Sequence, residues 1–243
     1  MDNILFIGTF KNNGLNGECT KVYPSGYSIM GRWQKDSLVA AEKASDPNGK
    51  IFSLTPKTME EGIAALINHI KQLRIYNSSE PSEKKYSFHR PEDIAEKVAY
   101  KSLFRLPSSE YDEIITRMEK SYVSGFSPFQ SEYFISTYKS GVDSMTAIKY
   151  FDGMCGQLKQ LQLTLKPGTT PVKLSEKNVS YKSSYIFKIF EIPENARPDE
   201  FVTIQACIIN ENGQPDDFSV VLLIRTGDVQ FLSDSHQGSF LYL

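Results

Sequence analysis

The run Phe218-Ser219-Val220-Val221-Leu222-Leu223-Ile224 constrains the fold of this chain more than any other stretch. It holds five consecutive apolar residues between Asp216-Asp217 and Arg225-Thr226-Gly227, too short for a helix and rich in β-branched side chains. A continuous apolar run of this length predicts a strand covered on both faces, hence central in a sheet, with Val220, Leu222 and Ile224 on one face and Val221 and Leu223 on the other. Similar runs surround it: Tyr185 to Ile192, Phe201 to Ile209, Val229 to Leu232 and Ser239 to Leu243, each bounded by Asn, Gly, Pro or Asp. Residues 185–243 are therefore expected to form an antiparallel β-meander.

Upstream, residues 3–10 are apolar and read as a strand, followed by a loop from Lys11 to Gly17 in which Asn12, Asn13, Gly14, Asn16 and Gly17 suit positive φ. Tyr23 to Tyr27 breaks the next segment, so an element is expected from Ser28 to Trp33. Leu38 to Ser45 fits either helix or strand, and a short piece follows from Lys50 to Leu54. Residues 55–165 read as a helical lobe. Thr55-Pro56 offers a cap before Met59, Ile63, Leu66, Ile67, Ile70 and Leu73, which recur at helical spacing. A polar connection spans 76–87. Pro91, Pro107-Ser108-Ser109 and Ser127-Pro128 are read as the openings of three further helices, the first carrying Ile94 and Val98 and the second Ile114, Ile115, Met118 and Tyr122. Val142 to Leu163 gives a fifth, ended by Pro167-Gly168, with a short strand at Lys173-Leu174. No internal repeat is evident.

Segregated helices and strands predict an α+β protein: a C-terminal antiparallel meander (169–243) packed on about five helices (55–165), with a short β-rich N-terminus, all in one domain of 243 residues. Hydrophobic and charged contents of 40% and 23% are those of a globular chain, and a net charge of −2 with no basic block gives no nucleic-acid footprint. The acidic start and its short apolar run do not read as a signal peptide, and no apolar run is long enough to span a membrane. Cys19, Cys155 and Cys207 form neither a disulfide framework nor a metal motif, which fits a reducing cytoplasm. No metal or cofactor signature is found, and the Asn178-Val179-Ser180 sequon is then incidental.

Two segments carry candidate chemistry. Asn13-Gly14-Leu15-Asn16-Gly17-Glu18-Cys19 resembles the stretch before the nucleophile of papain-like cysteine peptidases, Gln-Gly-x-x-Gly-x-Cys. That resemblance implies Cys19 as nucleophile and Asn13 as an oxyanion ligand. Phe231-Leu232-Ser233-Asp234-Ser235-His236-Gln237-Gly238-Ser239-Phe240 looks like the closing segment of the YopT-type bacterial effector peptidases, Phe-Asp-Pro-Asn-x-Gly-x-Phe. It gives Asp234 the orienting role, with Gly238 and Phe240 at the matching Gly and Phe. The histidine of that pattern falls on Ser219, which leaves His236 as the imidazole nearest the segment. A thiol without its base loses most of its activation, so the resemblance implies a degenerate effector or toxin that acts by binding another protein or peptide, in the cytoplasm or delivered there without a signal peptide. The plain alternatives stand beside it: Cys19 as an ordinary thiol, 234–238 as a hairpin loop, and a non-enzymatic interaction protein of immunity or chaperone type.

Overall fold

The fold is that of a computed structural model, which describes residues 4–69, 77–81, 94–119, 129–166, 168–177, 186–193, 202–210, 214 and 216–226. Two compact units divide the chain, Met1–Lys57 and Thr58–Leu243.

The first unit is a five-stranded antiparallel sheet in sequential order: β1 (Leu5–Lys11), β2 (Gly14–Val22), β3 (Ser28–Gln34), β4 (Ser37–Ser45) and β5 (Ile51–Ser53). Asn12 and Asn13 have φ of 52° and 63°, and Lys35 and Asp36 have φ of 48° and 64°. Each pair is the two-residue centre of a hairpin, between Lys11 and Gly14 and between Gln34 and Ser37. Positive φ at both central residues is the type I′ geometry that matches strand twist. The loop expected from Lys11 to Gly17 is thus only two residues long, and the ambiguous 38–45 segment is a strand. The two hairpins also correspond at an offset of 23 residues (35 − 12): Gly8 with Gly31, Phe10 with Trp33, and Asn12-Asn13 with Lys35-Asp36. The match is one of turn geometry, and the amino-acid sequence itself carries no internal repeat. The paired positive φ of the turns and one glycine in each first strand recur, whereas Gly14 and Gly17 correspond to Ser37 and Ala40.

The glycines explain the repeat. A Cβ on Gly8 would lie 2.5 Å from Cys19 Sγ, and one on Gly31 would overlap the Ala40 carbonyl oxygen. In each hairpin the first strand needs a residue without a side chain where the returning strand bulges against it. One sheet face then gathers Leu15, Cys19 and Trp33, with Phe6 and Leu38 packed on them. The Phe6 and Trp33 rings meet edge to face at 5.5 Å.

The second unit contradicts the expected helical lobe. Only two helices occur among the described residues: α1 (Met59–His69) and α2 (Ser144–Gln160). The remainder is mostly strand: β6 (Asn77–Pro81), β7 (Ile94–Ser102), β8 (Tyr111–Glu119), β9 (Phe129–Val142), β10 (Gln162–Leu163), β11 (Val172–Lys173), β12 (Ser175–Lys177), β13 (Ile186–Glu191), β14 (Val202–Asn210) and β15 (Phe218–Thr226). The segments read as the second, third and fourth helices are β7, β8 and β9. Eight strands form one antiparallel sheet in the order β12-β13-β14-β15-β9-β8-β7-β6, and β10 pairs with β11. The described residues are therefore mostly β, in three sheets, and the five-helix α+β architecture does not hold.

The physical reason lies in the turns. Leu106-Pro107-Ser108-Ser109 was expected to open a helix. Instead Ser109 N donates to the Leu106 carbonyl at 3.3 Å, and Ser108 takes φ of 64°. Proline second and a positive φ third is the arrangement of a type II turn, and it feeds β8. The α1 cap is Thr58, whose Oγ1 accepts from Glu61 N at 3.2 Å, three residues beyond the Thr55-Pro56 expected from the sequence. Asp143 caps α2, accepting from Thr146 N at 2.9 Å.

The expected central strand is found. β15 lies between β14 and β9, and Val220 to Ile224 are buried on both faces. α2 packs over β14, β15 and β9 and buries Ala147, Phe151, Met154, Cys155 and Leu158. One row across the sheet, Phe190-Ile204-Ile224-Phe134-Ile114, is wholly buried, and Phe104 caps it edge to face on Phe134 at 5.9 Å. The expected strands Val229–Leu232 and Ser239–Leu243 lie outside the described residues.

Candidate functional site

Of the four residues expected to form a site, two fall in described segments. Asn13 is the second residue of the β1–β2 turn and holds φ of 63°, so its role there is conformational. Cys19 sits in the middle of β2, 4% exposed, against Leu15 and Trp33, with Sγ donating to the Thr9 carbonyl at 3.5 Å. It is a free thiol in a sheet core, on a strand and not at a helix N-terminus. Asp234 and His236 lie outside the described residues. Ser219, where the peptidase pattern has its histidine, is buried in β15. Cys155 and Cys207 are also free and buried, and burial pushes their thiols up to about 11 and about 12. Among the described residues no cluster of three or more metal-ligating side chains occurs.

The structure draws attention to three places that sequence reasoning did not single out. The first is the outer edge of the N-terminal sheet. β1 pairs with β2 alone, and its other side is an edge seven residues long that is open among the described residues. Leu5, Ile7 and Phe10 are more than half exposed, at 57%, 57% and 58%. Leu5 and Ile7 pair with Val22 and Thr20, on the face opposite the Phe6–Trp33 contact. Thr20 in turn pairs with Met30, so a partly exposed apolar strip runs inward from the edge. Phe10 lies on the other face, alongside Leu15. Apolar side chains thus flank the open edge on both sides of the sheet.

Edges of this kind are ordinarily blunted by a charge, a proline, a bulge or shortness. β1 has none of these along Leu5 to Phe10, and its only charge is Lys11 at the end. The irregularity between β1 and β2 sits in β2, where Asn16 to Glu18 oppose the single residue Thr9. β1 itself therefore runs regular. The far edge differs: β5 has only three residues.

The second place is a buried carboxylate. Asp112 on β8 is 3% exposed and lies opposite Ser136, in the row Lys188-Ala206-Leu222-Ser136-Asp112 next to the apolar row above. Ser109 Oγ donates to its Oδ2 at 2.5 Å, and Arg105 Nε stands 3.7 Å from the same oxygen. Oδ1 and the Ser136 Oγ across the strand pair each lack a partner within hydrogen-bond geometry, although that hydroxyl is near enough to favour the anion weakly. Burial raises this carboxyl above the ordinary carboxylate range, against the pull of Ser109, Ser136 and Arg105.

The third is an open groove of about 650 Å³ in the second unit, lined by Met59, Tyr138, Tyr150, Met154, Gln157 and Gln160 among others. Tyr138 donates its hydroxyl to Met59 Sδ at 3.4 Å, and burial raises its pKa above the usual tyrosine range. No helix of the described residues is long and apolar enough to cross a membrane. No family model matches the chain, and no curated protein or solved structure matches it either.

Proposed function

We propose that this chain is a non-enzymatic interaction protein whose N-terminal sheet takes up a protein strand along β1. The observation that carries this reading is the β1 edge, open among the described residues and uncharged from Leu5 to Phe10, with Leu5, Ile7 and Phe10 exposed. A strand added there gains main-chain hydrogen bonds for affinity, and alternate side chains against the two apolar strips give selectivity. The peptidase reading has less support. A nucleophile must be exposed beside N–H donors with a base in reach, and Cys19 is enclosed in a strand core.

The test is a library of extended peptides offered to the full chain. Binders should alternate apolar and polar residues, and Ile7→Lys should abolish their binding, because the lysine interrupts the apolar strip. Cys19→Ser should leave that binding intact. Peptide cleavage that is lost in Cys19→Ser would overturn the reading in favour of an enzyme.

A further inference from the structure

We infer that the strand received by β1 is the β1 of a second copy, paired antiparallel about Gly8. This inference rests on the interaction reading above and names its partner.

The repeat shows what such an edge accepts. β3 corresponds to β1 at the 23-residue offset (31 − 8), and the side of β3 facing away from its own hairpin is filled by β2: Gly31 pairs with Cys19, and Trp33 with Gly17. The matching side of β1 is the one left open among the described residues. The strand type that presents this edge therefore already takes an antiparallel neighbour once in the same sheet.

The sequence of β1 selects that neighbour. Phe6-Ile7-Gly8-Thr9-Phe10 reads aromatic, β-branched, glycine, β-branched, aromatic in both directions. In an antiparallel pair with Gly8 opposite Gly8, Phe6 of each chain faces Phe10 of the other, and Ile7 faces Thr9. Directly opposed aromatic and β-branched pairs are the favourable cross-strand combinations. This register keeps residues of like parity together, so the faces of the two sheets run on without a break. Phe10, exposed within one chain, gains Phe6 of the other as its neighbour. Charge does not oppose the pairing. The only charge on β1 is Lys11, which faces Leu5, and the two lysines lie at opposite ends of a contact about 20 Å long. A pair related in this way is isologous and closes on itself, so it forms a dimer and no fibre. One added strand pair is small beside a standard interface of about 1,200–2,000 Å², so the dimer is dissociable.

The experiment uses the full chain. Sedimentation over a concentration series should show reversible doubling of mass, lost in Ile7→Lys, while the circular-dichroism spectrum and the Trp33 emission stay unchanged. The register is read by mixing an Ile7→Cys chain with a Thr9→Cys chain under mild oxidation. The two substituted positions face each other at about 4.5–5.5 Å between Cβ atoms, so the mixture should form a cross-linked dimer far faster than either variant alone. A chain that stays monomeric up to roughly 100 µM overturns the inference. So does a dimer that survives Ile7→Lys, or one whose cross-linking ignores the register. A monomer that still binds library peptides in an Ile7-dependent way overturns self-pairing alone and leaves the interaction reading standing. A monomer that binds neither sinks both.

Discussion

Replacing Asp112 with Asn is expected to stabilise the second unit at neutral pH, and the expected size follows from the surroundings of the carboxylate. The ionised group is 3% exposed, and one of its oxygens is without a partner. An unsatisfied buried acceptor costs about 1–3 kcal/mol, more when charged. Asn removes the charge and offers a donor to Ser136 Oγ, in place of the weak pull that hydroxyl exerts on the anion. Two losses oppose this. The short Ser109 hydrogen bond becomes neutral, a loss of about 1 kcal/mol, and the Arg105 contact disappears. That contact is 3.7 Å long on a half-exposed arginine, so it contributes at most about 1 kcal/mol. The raised pKa shows that burial outweighs the partners. The net gain should then be about 1 kcal/mol at pH 7, or about 2–4 °C in Tm for a unit of this size.

The sign with pH follows from the same shift. A carboxyl whose folded pKa is raised contributes fully below its unfolded value of about 3.9, and that contribution falls away as pH rises through the folded pKa. The wild-type chain should thus lose stability relative to Asp112→Asn as pH climbs from about 3 to 7, and the two should coincide near pH 3. Urea melts at several pH values, followed by far-ultraviolet circular dichroism, measure the difference directly. A variant that is less stable at pH 7, with the deficit growing as pH rises, would mean that Arg105 and Ser109 stabilise the anion more than burial penalises it.

Other outcomes follow from single contacts. Leu222→Ala removes a wholly buried side chain from the centre of the large sheet and should cost about 2–5 kcal/mol by urea denaturation; a loss under 1 kcal/mol would count against its central place. Gly31→Ala drives a Cβ into the Ala40 carbonyl and should destabilise the first unit by about 1–3 kcal/mol or more. Gly49→Ala meets nothing within 4 Å and suffers only its positive φ, so about 1–2 kcal/mol is expected. Trp33 is the sole tryptophan and lies in that unit, so its emission reports both changes. Cys19, enclosed beside Trp33, should alkylate with iodoacetamide only as fast as its sheet opens, and Gly31→Ala should speed the labelling.

The part of the fold legible from sequence was the part where one signal had one meaning. Val220 to Ile224 is too short for a helix and too apolar for an exposed strand, which leaves a buried central strand. α2 was legible because its apolar spacing persists through Leu158. β7, β8 and β9 resemble helices in sequence because a spacing of four satisfies both periods. Ile114 and Met118 share a helix face, but they also share a strand face, since four is a multiple of two. The prolines then suggest helix starts, but Pro107 makes a turn. Composition held the better clue: Tyr133, Phe134, Ile135, Thr137 and Tyr138 within one stretch favour a strand. The buried Asp112–Ser136 pair is hidden for another reason. Asp112 and Ser136 are far apart in the chain and meet only through the β8–β9 register.

The open edge shows why a correct local reading can still miss a site. Leu5-Phe6-Ile7 was legible as strand, and its lack of alternation was visible. Consecutive apolar residues in a strand call for cover on both faces, as at Val220 to Ile224, where neighbouring strands and α2 supply it. At β1 the same pattern meets Trp33 through Phe6, while Ile7 on the opposite face stays more than half exposed. Position in the sheet is what separates the two cases. That position is set by the turns at Asn12-Asn13 and Lys35-Asp36, which order the strands sequentially and leave the first one at the rim. A two-faced apolar strand placed at a rim carries unsatisfied apolar surface and unsatisfied backbone together, and a paired strand is the structure that satisfies both.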